Sequence, residues 1–379
     1  MKIVLAPASF KGTLSSAEAI ALMSQVLSEH CPRAEIVPFV LADGGEGTLA
    51  AFLANRPGKV IEENVQGPLG QPLQAPYGFW SDASALVEIA AADGLNQAYP
   101  LEAGRASSYG LGQLILSAIH QGAKKITIAL GGSASTDGGC GMAAALGCRF
   151  YNPAGETFVP TGSTLNFIER IDDSRLKKTI QSVDFCGLCD VTNPLDGPTG
   201  AAMVFSPQKG ADPAMVEYLD QGLKHLSSLC LRDLKIDVSD LPGAGAAGGA
   251  GAGVTAFLHG RLVSGVDEVL RQGDFLKKAH EADYLITGEG SFDRQSLMGK
   301  AIGGLLARKE KTTKLIVVAG RVRLSPEEWK KAGVYQAYQT STGPCDLASL
   351  KARAPKELVE AMRKVCIDIE EASQHEILL

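Results

Sequence analysis

Between residues 131 and 139 the chain reads GlyGlySerAlaSerThrAspGlyGly, after the strand-like LysLysIleThrIleAlaLeu at 124–130 and before the helix-like MetAlaAlaAlaLeu at 142–146. A strand that feeds a glycine-rich turn and then a helix can hold phosphate on backbone N–H groups and the positive end of the helix dipole, with no basic side chain. In this reading Gly131, Gly132, Gly138 and Gly139 supply the turn, and Ser133, Ser135 and Thr136 add hydroxyl donors. Glycines that only permit a tight strand-to-helix turn would read the same. No GlyLysSer or GlyLysThr closes the loop, so it is not a Walker A sequence. Other loops carry polar groups behind apolar runs: Ser9 and Lys11; Asp43 and Glu46; Asp190 and Asn193; Glu289, Asp293 and Arg294; Arg321 and Arg323. Taken singly, each is a solvated loop charge. If the strands before the four loops other than that of Asp190 and Asn193 are parallel in one sheet, those four share one edge, where cations hold a small anion and carboxylates bind Mg²⁺ or accept a proton.

Other patterns carry less. Gly139, Gly141 and Ala144 fit GxGxxA, but so do Gly251, Gly253 and Ala256, a double match that composition alone gives; Gly139 also lies well past the expected strand end at Leu130, with no well-placed acid about 20 residues on, so a nicotinamide cofactor is not expected. Cys186 and Cys189 are three apart on an expected strand and point to opposite faces, which speaks against one shared metal ion. The six histidines show no HxH or HExxH spacing.

The elements that must position these loops alternate. Strands are expected at 2–6, 35–41, 284–287, 315–319 and 334–338, with helices over 48–54, 301–309, 326–331 and 355–373. The first helix has Ala19, Ile20, Met23, Val26 and Leu27 on one face and a capping box in Ser15 and Glu18. This rhythm predicts a doubly wound parallel sheet, a Rossmann-like α/β domain that binds ligands beyond its strands' carboxyl ends. The middle differs: 59–80 has the Pro, Gly and short apolar runs of hairpins, and 241–253 is nearly all Gly and Ala, either a hinge or a close-packed turn. The expectation is therefore a Rossmann-like domain from 1–62 plus 283–379, a second α/β domain inserted as 63–282, and the active site in the interdomain cleft.

With 379 residues and a net charge of −6, about two domains are expected and nucleic acid is excluded as the main partner. The apolar stretch 3–6 is shorter than a secretion-signal core, and no run reaches the ~18 to 20 apolar residues of a membrane span. Eight cysteines without such a signal read as buried thiols in a reducing compartment, so a cytoplasmic, non-membrane protein is expected. Nothing here sets the oligomeric state.

ProAlaSerPheLysGlyThrLeuSer at 7–15, AlaAspGlyGlyGluGlyThr at 42–48, the 131–139 loop, AspValThrAsnProLeu at 190–195 and ThrGlyGluGlySerPheAsp at 287–293 together resemble the type 1 glycerate kinase family over nearly the whole chain. The resemblance implies ATP-dependent phosphorylation of D-glycerate, usually at the 2-hydroxyl, on a two-domain α/β fold. Carried onto this sequence, it suggests ATP phosphates at Gly131–Gly139, and Mg²⁺ on Asp190 with Asp293 or Asp137. Lys11 and Arg294 would hold the glycerate carboxylate or the transferring phosphoryl group, and Ser9, Glu46 and Asn193 the substrate. Asp43 would orient or deprotonate the hydroxyl, with Glu289 as its competitor; the bland reading of Asp43 is a helix cap. Thr136 stands where the family more often has an amide. Phosphorylation at the 3-hydroxyl, another small hydroxy acid, or a non-catalytic nucleotide or sugar-acid sensor are the alternatives.

Overall fold

A computed structural model describes residues 1–10, 12–297, 301–341 and 346–377. The chain divides into two units, one of residues 1–43, 50–56 and 266–379, the other of 44–49 and 57–265.

The first unit is built on five parallel strands. From edge to edge they are Gln336–Gln339, Lys314–Val322, Tyr284–Phe292, Lys2–Leu5 and Glu35–Pro38. Numbered in chain order within the unit, this is 5-4-3-1-2, the flavodoxin-like form of a doubly wound sheet. The order reverses between Lys2–Leu5 and Tyr284–Phe292, and there the Thr287 hydroxyl donates to the Ala6 carbonyl at 2.7 Å. Alternate residues Ile3, Leu5, Ile286, Ile316 and Val318 meet helices Ser16–His30 and Leu347–Ile377, which contribute Ala19, Met23, Leu27, Met362 and Val365. Val4, Leu285, Leu315 and Val317 point the other way and are buried too, as in a sheet covered on both faces. The capping box forms: Ser15 Oγ accepts the Glu18 N–H at 3.2 Å, and Glu18 accepts the Ser15 N–H at 2.8 Å.

Four boundaries differ from the sequence expectation. Strand Tyr284–Phe292 continues past 287, pairing Glu289 with Ala319 and Phe292 with Val322, so Glu289 lies in a strand and not in a loop. The last helix starts at Leu347, not Pro355. Asp346 caps it by accepting the Ser349 N–H at 2.9 Å, and Pro355 is carried inside rather than in the first turn, where proline fits without losing a helix bond. The expected break at 62/63 falls within strand Lys59–Gln66, which pairs along its length with Pro72–Phe79 in the second unit; residues 266–282 belong to the first.

In the second unit, strands Arg261–Val263, Asp184–Leu188, Lys125–Ala129 and Ser84–Glu88 are parallel, and the hairpin Pro72–Phe79 and Lys59–Gln66 extends the sheet antiparallel. A small antiparallel sheet of Thr157–Phe158, Arg149–Tyr151 and Arg170–Asp172 lies apart. The Gly/Ala stretch is close-packed, a turn that leads into helix Ala246–Ala256, which is kinked near its start. Ala247, Gly248 and Gly249 have φ of 53°, 63° and 91°, and a Cβ on Gly248 would stand 2.1 Å from the Ser135 carbonyl oxygen. The glycines let two backbones touch. No helix among the described residues is long and apolar enough to cross a membrane.

Candidate active site

Five parallel strands direct the first unit's loops to one edge. Ser9 follows Lys2–Leu5 and Asp43 follows Glu35–Pro38, both exposed; Lys11 lies outside the described residues. Ser16 ties the two connections, its hydroxyl donating to the Pro7 carbonyl at 2.6 Å and accepting the Leu41 N–H at 3.2 Å. Helix Thr48–Asn55 begins four residues beyond Asp43's nearest neighbour Gly44, so Asp43 is not its cap. Behind Tyr284–Phe292, Asp293 accepts the Gln295 N–H at 2.9 Å on Oδ1 and donates its own N–H to Ser296 Oγ at 3.1 Å, the turn that starts Arg294–Leu297. Arg294 is exposed and donates to Glu328 Oε1 at 2.7 Å. That bond raises the guanidinium's pKa, while the Ser325 N–H, then Arg294, lower the Glu328 carboxyl. Glu289 is partly buried.

The carboxyl edge of the second unit's sheet gathers Glu88, the loop after Lys125–Ala129, Asp190, and residues 44–49. The Gly131 N–H donates to the Gly44 carbonyl at 3.0 Å. Glu88 accepts the Leu49 N–H at 2.8 Å and takes further bonds from the Thr48 and Gly47 amides, so its carboxylate fills the start of helix Thr48–Asn55. Burial pushes the Glu88 carboxyl up even so. Asp190 Oδ1 accepts the Gly265 N–H at 2.9 Å, Asn193 Nδ2 donates to the Thr199 carbonyl at 2.8 Å, and Glu46 is exposed.

The glycine-rich loop faces two ways. Gly132 is exposed and Gly131 partly so, but Ser133 to Gly139 are buried, and their polar groups turn inward. The Ser135 N–H donates to Asp93 Oδ1 at 3.0 Å and its hydroxyl to Asp93 Oδ2. Lys209 Nζ donates to Ser133 Oγ at 3.0 Å and to the Ser135 carbonyl. Thr136 Oγ1 lies 3.4 Å from Ser206 Oγ. The Gly138 N–H is taken by the Gly248 carbonyl at 3.1 Å. Asp137, fully buried, accepts the Ser108, Gly139 and Gly141 N–H groups at 2.8, 3.0 and 3.2 Å and the Ser108 hydroxyl at 2.9 Å. The start of helix Cys140–Ala145 is therefore occupied by the chain's own carboxylate. A loop of seven buried residues must satisfy its polar groups internally. With the Gly131 N–H donated to Gly44, the expected cradle over the whole of 131–139 narrows to Gly132, and Asp137 is saturated as a structural acceptor.

Asp93, Lys209, Glu88 and Ser108 were not candidates from sequence. The two acids carried a signal: Glu88 and Asp93 interrupt the otherwise apolar run 85–93, where a charge must be buried or exposed at a sheet edge. Lys209 carried none, since SerProGlnLysGly reads as a surface turn. Burial pulls the Lys209 ammonium down to about 8, and burial together with Asp137 pushes the Asp93 carboxyl well up.

A profile of the glycerate kinase family matches residues 3–370. The chain belongs to the glycerate kinase family. It is 40% identical over 352 residues to a Bacillus cereus glycerate kinase, covering 92% of each chain. With the glycerate 2-kinase of Escherichia coli K12 it shares 41% identity over 325 residues, 84% of this chain and 85% of the relative. A crystal structure from Salmonella typhimurium LT2 designated glycerate kinase 2 superposes with a TM-score of 0.86 at 37% identity, covering 99% of both chains. Members of this family are kinases.

Among the described residues no three Asp, Glu, His or Cys side chains group to hold a metal ion by themselves. Mg²⁺ does not require such a group, since it is commonly held by one or two carboxylates with phosphate oxygens and water. Asp190, exposed at the carboxyl edge of its sheet, fits that chemistry, and Asp137 does not.

Proposed function

We propose that this chain phosphorylates the 2-hydroxyl of D-glycerate with MgATP, giving 2-phosphoglycerate and ADP. The observation that carries the reading is 41% identity, over most of both chains, to a relative named glycerate 2-kinase. Phosphoryl transfer asks little covalent chemistry of a protein; positioning and charge stabilisation do most of the work.

In this reading the exposed backbone N–H of Gly132 binds ATP phosphate at the second unit's sheet edge, while Gly131, tied to Gly44, holds the turn. Asp190 would hold Mg²⁺, with Asp293 as a further carboxylate. Bound Mg²⁺ would neutralise phosphate charge. Asp43 orients the glycerate 2-hydroxyl and accepts its proton, and Glu289, half-buried in its strand, is the alternative base. Arg294, with Lys11, binds the carboxylate or the phosphoryl group, for which its guanidinium must exchange Glu328. Ser9, Glu46 and Asn193 contribute substrate contacts.

The test is ADP release from MgATP with and without D-glycerate. Glycerate-dependent release supports the kinase reading, and none from folded protein contradicts it.

A further inference from the structure

We propose that Lys209 and Asp93 are positioning residues for nucleotide binding: together they fix Ser133–Ser135 so that the exposed Gly132 presents its backbone N–H to an anionic phosphate. The inference rests on the reading of this glycine as the phosphate contact.

Both side chains lie in the interior, Lys209 at 2% exposure and Asp93 at 0%, so neither meets solvent or a bound nucleotide directly. They act on one short segment from two sides. Asp93 takes the N–H and the hydroxyl of Ser135, and its backbone carbonyl takes the Ala134 N–H at 2.7 Å. Lys209 takes the Ser135 carbonyl and the Ser133 hydroxyl oxygen. Every polar group of Ser135 is thus committed to one of two charged partners. On the far side of the turn, the Gly132 carbonyl accepts the Leu95 N–H at 3.1 Å and the Gly131 N–H is tied to Gly44. The two solvent-facing glycines are held at both ends. Gly132, at φ 83°, has a conformation that glycine adopts freely and would otherwise exchange.

An ammonium and two carboxylates in a fully buried network are expensive to desolvate, and apolar packing is often the cheaper way to fix a loop. Hydrogen-bond donors and dipoles fixed beforehand, by contrast, are what preorganised binding of an anion uses. Loss of the network should therefore appear in nucleotide affinity and not only in melting temperature.

The test compares wild type with Ser135→Ala and with the double variant Asp93→Asn/Lys209→Met, which removes both charges together. The readouts are the Kd of a fluorescent N-methylanthraniloyl ATP analogue with Mg²⁺, and separate KM values for ATP and D-glycerate. Circular dichroism reports folding. Ser135 is fully buried, so its methyl variant reaches the nucleotide only through the loop. The expected result is a Kd and ATP KM raised about fivefold in Ser135→Ala and about tenfold or more in the folded double variant, with glycerate KM within about twofold. Folded variants that bind the analogue within about twofold of wild type overturn the proposal; if the double variant does not fold, Ser135→Ala decides alone. Wild-type protein that turns over glycerate while the variants match it sinks only the positioning role. Wild-type protein that binds no analogue sinks the phosphate-contact reading as well.

Discussion

Asp137 distinguishes a structural carboxylate from a metal ligand, and replacing it with Ala separates the two. The substitution leaves three buried backbone N–H groups, of Ser108, Gly139 and Gly141, and the Ser108 hydroxyl without their acceptor. At about 1 to 3 kcal/mol for each buried donor left unsatisfied, the three amides alone give a loss of about 3 kcal/mol at the low end. Part of that is offset, because burial disfavours the charge, as the raised Asp137 carboxyl pKa reflects; about 2 kcal/mol or more should remain. For a unit of this size that lowers the melting temperature by about 4 °C or more. Differential scanning calorimetry without Mg²⁺ measures it, paired with a Mg²⁺ titration of activity. A variant that melts within about 1 °C of wild type yet needs about tenfold more Mg²⁺ would refute the structural assignment and return Asp137 to the metal.

Asp43→Asn should cut kcat by about 10² or more in folded protein if Asp43 serves the reacting hydroxyl; near wild-type turnover would move the base to Glu289. Gly248→Ala puts a Cβ 2.1 Å from the Ser135 carbonyl oxygen at a φ of +63°, so the urea midpoint should fall by the equivalent of about 2 kcal/mol or more, and an unchanged midpoint would show that the turn yields. Burial raises the Glu88 carboxyl above its ordinary 4.5, so the folded chain keeps that proton to higher pH than the unfolded one. Its contribution is full below about pH 4.5 and declines as pH rises through the folded value; calorimetry across this range should show a shallower decline in Glu88→Gln than in wild type.

Local signals carried most of the fold. The capping box, the odd-even burial of the first unit's strands and the hairpin over 59–80 each follow from neighbours in sequence, and each is where the residues put it. Glu289 was misplaced because GlyGluGly looks like a loop, while backbone pairing with Ala319 and Arg321 carries the strand through it. The glycine-rich loop shows what composition cannot say. Sequence counts its hydroxyls and amides but not the direction they face, and that direction is set by Asp93, Lys209 and Gly248, between 38 and 117 residues from Gly131 in sequence. Asp190, Asn193 and Asp43 lie on strand-end loops, as their position after apolar runs implied. Their chemical roles depend on substrate contacts that neither periodicity nor motif spacing encodes.

The most direct test of the central claim is the identity of the product. MgATP and D-glycerate are incubated with the protein, and the product is offered to enolase with and without phosphoglycerate mutase. Consumption by enolase alone is the predicted result and fixes the phosphoryl group on the 2-hydroxyl. Consumption only after the mutase is added would make the chain a 3-kinase and contradict the account.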